Sequence, residues 1–364
     1  MINFKAGAPR QATDGARAAR IAAAKDLVQR TLARHGLMPG PDGGQARGLQ
    51  QVMPSMENLL AGLKSPFGNP PAQDVPIPDG AEFRHAQFSC TAGSRAYRTY
   101  VPSTAGEGVT GIVVMLHGCT QNPEDFAAGT GMNALAEEHR FVVIYPHQSR
   151  GDNAQSCWNW FSRGDQRRDR GEPAILAGMA REAMAEHGVS KERTFVAGLS
   201  AGAAMAVILG ETYPDVFSAV GAHSGLPFGA ARDVPSAFAA MAGNAEQPTG
   251  AASNTPAVRT IVFHGTADAT VHPSNGERIA RDAMDRGARQ SVEIEEQGHI
   301  SGRRFRCKVS APAGGAAELE HWVVEGLGHA WSGGRPGGSY TDEKGPDASA
   351  EMIRFFFEPS GRRG

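Results

Sequence analysis

Residues 198–202 read Gly-Leu-Ser-Ala-Gly, a serine held between two glycines in the pattern G-x-S-x-G. In a chain with 46 glycines the five-residue pattern carries little by itself, and its surroundings carry more. The apolar run Thr194–Ala197 precedes it and the helix-compatible segment AGAAMAVILGETYP follows it. Such a context puts Ser200 on a sharp strand-to-helix turn, where small neighbours are required. The turn lifts the hydroxyl to the carboxyl end of a sheet, beside the free N–H groups of a helix start. A serine hydroxyl attacks a carbonyl only when a base takes its proton and an acid holds that base. On this kind of turn the partners follow in the order acid, then histidine. Asp268, closing TIVFHGTAD, and His329, in EGLGHAW, fill that order. The bland alternative is a tight turn whose serine only caps a helix. Asp215 lies near the end of the following helix and should point away from Ser200. His117, His223 and His264 sit at or near strand ends, where structural histidines are common, and His272 is expected to shape the Asp268 loop.

Attack on an ester carbonyl creates an alkoxide that fixed donors must meet. The backbone N–H of Ala201, just after the serine, is one expected donor. The segment MLHGCTQ (Met115–Gln121) offers the second at Cys119, with Gly118 free to adopt the unusual backbone this requires. Trp158, Trp160 and Trp331 are candidates for an aromatic substrate wall, with core packing as the alternative. Trp331, two residues past His329, is the strongest of the three.

These residues need a scaffold, and the pattern supplies one. Short apolar runs ending in turn residues occur at Gly111–His117, Phe141–Pro146, Arg193–Ser200, Phe217–Ser224 and Thr260–Gly265, as in parallel strands buried on both faces. Ala96–Pro102 alternates like a half-exposed strand, and Glu320–Gly326 reads as a late one. Helical segments are expected over Glu172–His187, Ala201–Tyr213, Asn275–Arg286 and Ala348–Phe357. Alternating β and α units predict an α/β fold, a doubly wound, mostly parallel sheet flanked by helices. That catalytic domain is expected over residues 81–358, with 359–364 as a tail. Residues 1–80 read as an extension, with helices near Ile21–Leu32 and over Pro54–Lys64 separated by Pro/Gly-rich linkers.

Composition narrows the function classes. The chain has 364 residues, 40% hydrophobic and 20% charged, with net charge −2. It is too apolar for a disordered chain and lacks the basic excess of a nucleic-acid binder. No apolar run approaches the ~18 residues of a membrane span. No metal or organic cofactor is called for by these motifs. Four cysteines, Cys90, Cys119, Cys157 and Cys307, show no zinc-type spacing and leave three disulfide connectivities open, besides free thiols. No signal peptide is visible, because Arg17, Arg20, Lys25 and Asp26 interrupt every apolar stretch near the start.

The ordered set HGCTQNPEDFAAGTGMNALAEEHRFVVIYPHQS, CWNWF, GLSAGAAM, HGTADATVHPSN and GHAWSGG resembles the polyhydroxybutyrate (PHB) depolymerase family of esterases, related to feruloyl and acetylxylan esterases in the α/β-hydrolase superfamily. The resemblance runs from about Phe83 to Phe357. It implies carboxylic-ester hydrolysis through Ser200, Asp268 and His329, with Cys119 and Ala201 as oxyanion donors. It also implies a Cys119–Cys157 disulfide that pins the oxyanion loop, and with it an extracellular or periplasmic location; a cytoplasmic one is the alternative. Hydroxyalkanoate esters are the expected substrates, with feruloyl or acetyl esters of plant polysaccharide as the second choice. A non-catalytic binding module would be marked by loss of the serine or histidine, and neither is lost. Only about 35 residues follow His329, with no polymer-binding domain visible, which favours soluble oligomers or small esters over crystalline polymer.

Overall fold

The chain divides into Met1–Pro66 and Phe67–Gly364. In the computed structural model the described residues are 77–244, 258–286 and 291–358, all in the second unit. The helices expected near Ile21–Leu32 and over Pro54–Lys64, and the tail 359–364, lie outside the described residues.

From Ile112 to Arg286 strands alternate with helices as the apolar pattern predicts. The elements are β1 (Glu82–Cys90), β2 (Gly93–Val101), β3 (Ile112–Leu116), α1 (Pro123–Thr130), α2 (Met132–His139), β4 (Val142–Pro146), α3 (Gly171–His187) and β5 (Thr194–Leu199). Then come α4 (Ala201–Thr212), β6 (Ala219–His223), α5 (Val234–Met241), β7 (Arg259–Gly265), α6 (Ser274–Arg286), β8 (Ser291–Ile300), β9 (Arg303–Pro312) and β10 (Leu319–Val324). Two short strands, β11 (Trp331–Ser332) and β12 (Thr341–Asp342), precede α7 (Ala348–Phe357).

The ten longer strands form one sheet in the order β1-β2-β4-β3-β5-β6-β7-β10-β9-β8. From β4 through β10 every neighbour is parallel. The hairpin β1–β2 adds an antiparallel margin on one side and the hairpin β8–β9 adds one on the other. The strands from β3 to β7 each carry a buried apolar stretch because helices cover both faces. Ile112, Val114 and Leu116 of β3 pack in the layer of α3, α4, α5 and α6, with Leu176, Met205, Ala237 and Ile279. Val113 and Met115 face the opposite layer, with Phe126 of α1, Met132 of α2 and Met352 and Phe355 of α7. Each such fully buried side chain contributes on the order of 1.5–3 kcal/mol.

Of the margin strands the sequence marks only β2, through the alternation over Ala96–Pro102, because β1, β8 and β9 obey no such rule. β1 and β8 are exposed along most of their length, so EFRHAQFSC and SVEIEEQGHI mix polar and apolar residues freely. Helix α1 did carry a local signal: Asn122, extended at φ −135°, accepts the Asp125 N–H through its side chain, and Pro123 occupies the first turn.

Candidate active site

Ser200 sits between β5 and α4 at φ 58°, ψ −118°. Positive φ is costly for a residue with a side chain, about 1–3 kcal/mol, and such strain persists where the surroundings over-determine it. Here they do. The Ser200 N–H donates to the His223 carbonyl at the end of β6 (2.9 Å), fixing the turn to the neighbouring strand. At Gly202 a Cβ would lie 2.0 Å from the Leu116 carbonyl oxygen and 2.6 Å from that of His117, so α4 leaves the turn pressed against the end of β3. Only glycine allows that approach.

The acid and the histidine come from the loops after β7 and β10, which are neighbours in the sheet. The two loops stay joined beyond the strands: Thr266 N–H donates to the Val324 carbonyl (3.0 Å) and Ala267 N–H to that of Leu327 (3.0 Å). This brings Asp268 to His329, whose Nδ1–H donates to Asp268 Oδ2 at 2.8 Å. The other carboxylate oxygen accepts the N–H groups of Thr270 (2.9 Å) and Val271 (2.8 Å). His264 Nε2 lies 3.4 Å from Oδ2 and donates to the Val271 carbonyl. Burial alone would raise the Asp268 carboxyl, but the contacts with His264, His329 and the Val271 N–H hold it well below the usual carboxylate range. Asp268 is therefore a buried anion aimed at the imidazole.

The His329 loop then runs back over the end of β6. Ser332 N–H donates to His223 Nε2 (3.0 Å), and the Trp331 indole stacks on the His223 ring at 5.1 Å. His223 thus ties the serine turn, through its carbonyl, to the histidine loop, through its ring. Burial pushes its imidazole down to about 3, which keeps it neutral and able to accept. The Ser200 hydroxyl makes no hydrogen bond to a described residue. Such bonds are often long in ligand-free sites and tighten around substrate.

The loop after β3 faces Ser200 from the other side, since β3 and β5 are adjacent. Cys119 is disulfide-bonded to Cys157. The remaining tethers of this loop are a buried network. His117 Nδ1–H donates to the Gly118 carbonyl (2.8 Å) while Nε2 accepts the Gln148 N–H (3.1 Å). Gln121 Oε1 accepts the Gly118 N–H (2.9 Å), and its amide nitrogen donates to Asp125 and the Ser339 carbonyl. Burial pushes His117 down to about 4, so it stays neutral in this role. Behind it Glu172, 2% exposed, accepts from Gln148, Asn159 and Arg95. Burial, with Asp165 nearby, pushes its carboxyl up to about 7. The N–H groups of Cys119 and Ala201 donate to no described acceptor. An unengaged N–H directly after the half-buried serine, and another on the loop of the neighbouring strand, are donors of the kind a developing oxyanion requires.

The tryptophans are a correction. Trp331 is 1% exposed and its indole N–H donates to Ser349 Oγ (3.0 Å), with Phe126 edge-on at 5.5 Å. Trp158 is 0% exposed and donates to the His117 carbonyl (3.1 Å); Trp160 is 6% exposed with Phe161 against it. They are packing residues beneath the loops, because an indole with one satisfied donor fills a core as well as it lines a wall. The exposed aromatic at the site is Tyr340, 37% exposed, its ring 6.5 Å from that of His329 and nearly perpendicular to it. It lies in the glycine-rich stretch GGRPGGSYTDEKG, where no motif signals it. Asp215 pairs with Arg168 and Arg181, and His272 bonds to Met241 and Ser274; neither side chain bonds to Ser200, Asp268 or His329.

Among known proteins, the chain is similar to poly(3-hydroxyalkanoate) depolymerase C of Paucimonas lemoignei, 32% identical over 255 residues, which is 67% of this chain and 60% of that one. It is 28% identical to a probable acetylxylan esterase A of Aspergillus clavatus over 53% of this chain and 68% of that one. Feruloyl esterase B of Neurospora crassa is 25% identical over 64% of this chain and 82% of its own. The chain thus spans about 60% of the length of the depolymerase it matches. Among solved structures, the acetyl xylan esterase from Aspergillus awamori superposes with a TM-score of 0.59 at 19% identity, covering 76% of this chain and 100% of that one, a likeness of fold. The sheet order and the serine turn are those of an α/β hydrolase. The sequence profile described as "Esterase PHB depolymerase" matches residues 95–304, more than half of the chain, and the chain belongs to that family.

Proposed function

We propose that the protein is a serine carboxylic-ester hydrolase acting on hydroxyalkanoate esters. The observation that carries this reading is the 2.8 Å Asp268–His329 pair, tied through His223 to a strained Ser200 between two unengaged N–H donors. In the reaction, His329 Nε2 takes the Ser200 proton as Oγ attacks the ester carbonyl. The tetrahedral oxyanion forms hydrogen bonds with the N–H groups of Cys119 and Ala201, and Asp268 supports the imidazolium. His329 returns the proton to the leaving alcohol, which departs. Water, activated by the same imidazole, then releases the acid from Ser200 and regenerates the hydroxyl.

The hydroxyalkanoate assignment draws support from the depolymerase relative, whose match is higher in identity and covers more of this chain than those of the acetylxylan and feruloyl esterases cited above. Those esterases support a second reading with the same chemistry, acetyl or feruloyl groups on polysaccharide. A panel of 3-hydroxybutyrate trimer, solid polymer, methyl ferulate and acetylated xylan separates the two: kcat/KM on the trimer should exceed the others at least tenfold, and preference for ferulate or acetylxylan would overturn the assignment. We place the enzyme outside the cytoplasm on the Cys119–Cys157 disulfide, which persists in oxidising compartments. No helix among the described residues is long and apolar enough to cross a membrane.

A further inference from the structure

Tyr340 and Thr120 face each other across the site from two different loops. Tyr340 is fixed to the histidine loop, its carbonyl accepting the Trp331 N–H at 2.7 Å. Thr120 follows the oxyanion residue Cys119 directly, and its N–H donates to the Gln155 carbonyl at 2.8 Å. Both residues hold positive φ, 54° for Tyr340 and 65° for Thr120. For a bulky or β-branched residue that conformation is a genuine outlier, and outliers of this kind gather at ligand contacts. Their hydroxyls meet at 3.2 Å.

Proton accounting fixes the direction of that contact. Thr120 Oγ1 donates its single proton to the Cys119 carbonyl at 2.6 Å. Tyr340 must therefore be the donor to Thr120, over a separation longer than the 2.5–3.0 Å of ordinary O–H···O bonds. The phenol is an exposed, weakly engaged donor standing between the oxyanion loop and the general acid His329. The leaving alcohol of a bound ester must lie beside His329, since that imidazole protonates it. In a hydroxyalkanoate oligomer this alcohol belongs to another hydroxyacyl unit, whose own carbonyl follows within a few bonds. A simple alkyl or aryl ester has no such acceptor.

We propose that Tyr340 is a specificity-determining residue whose hydroxyl exchanges its long bond to Thr120 for the carbonyl of the leaving hydroxyacyl unit. This rests on the ester-hydrolase reading and adds to it the feature of the substrate that is recognised. The exchange needs no other group: one O–H donor changes acceptors, and Thr120 keeps its bond to Cys119.

The test compares wild type, Tyr340→Phe and Tyr340→Ala on 3-hydroxybutyrate trimer and on p-nitrophenyl butyrate, with fluorophosphonate labelling of Ser200 in each. Tyr340→Phe, which keeps the ring, is expected to lower the trimer-to-nitrophenyl ratio of kcat/KM about tenfold, the value of one lost substrate hydrogen bond. Tyr340→Ala should lower the ratio at least as far. Equal losses on both esters would make Tyr340 a loop-positioning residue and overturn the proposal. So would an unchanged ratio, or a labelled wild-type enzyme that cleaves the nitrophenyl ester but not the trimer. Failure of Ser200 to label in wild type would instead overturn the hydrolase reading beneath it.

Discussion

Replacing both Cys119 and Cys157 by serine removes a cross-link while keeping every backbone N–H in place. The bond closes a loop of 38 residues, and by the chain-entropy relation its loss should destabilise the fold by about 4 kcal/mol, mostly by freeing the unfolded chain. In a domain of this size that corresponds to a fall in Tm of about 7 °C. Catalysis should suffer far less. The Cys119 N–H would still be positioned by the Gly118–Gln121 bond at 2.9 Å, the Thr120–Gln155 bond at 2.8 Å and the His117–Gly118 bond at 2.8 Å. Loss of a whole oxyanion donor costs about 10²–10³ in kcat; with the donor retained, kcat should fall tenfold or less. Urea and thermal unfolding followed by circular dichroism give ΔG and Tm, and p-nitrophenyl butyrate kinetics at 25 °C give kcat. A variant Tm within 2 °C of wild type, where the wild-type peptide map contains the bridge, would refute the loop-entropy reasoning. A hundredfold loss of kcat would show that the remaining tethers do not hold the loop.

Asp268→Asn should lower kcat about 10⁴-fold on p-nitrophenyl butyrate, because the amide can neither fix the Nδ1–H tautomer nor support the imidazolium; a loss below tenfold would remove Asp268 from the triad. Glu172, raised by burial to about 7, sets a pH signature: the folded state holds its proton more tightly than the unfolded chain, so its contribution to stability is full below pH ~4.5, is lost as pH rises toward 7, and levels off above. The span is about 3 kcal/mol, and Glu172→Gln should flatten the stability difference over that window in urea titrations. A wild-type curve parallel to the variant's from pH 4.5 to 7.5 would contradict it. Trp331→Phe loses the bond to Ser349 and should destabilise by about 2 kcal/mol with KM within twofold; a raised KM at unchanged stability would return Trp331 to the substrate wall.

The frame of the candidate site was legible because its signals are enforced by sterics. Gly202 cannot be anything else with Leu116 so close, and the strands feeding Ser200, Asp268 and Cys119 each carry a central apolar stretch because they are buried on both faces. What escaped depends on which side of a loop a residue faces. Trp331 and Tyr340 are both aromatic and both close to His329, yet one packs on His223 beneath the loop and the other stands in solvent above it. Composition does not encode that difference. The hairpin β8–β9 was missed for a related reason: Val292 and Ile294 are exposed on an edge strand among glutamates, so apolar identity and burial part company. The network of Glu172, Gln148 and His117 joins residues from three separate segments, and no spacing rule connects them.

The most direct test of the central claim is covalent labelling. Folded protein treated with a fluorophosphonate should gain one adduct, mapped by mass spectrometry to the peptide containing Ser200 and absent in Ser200→Ala, with turnover of p-nitrophenyl butyrate lost in parallel. An adduct on another residue, or full turnover by Ser200→Ala, would contradict the account.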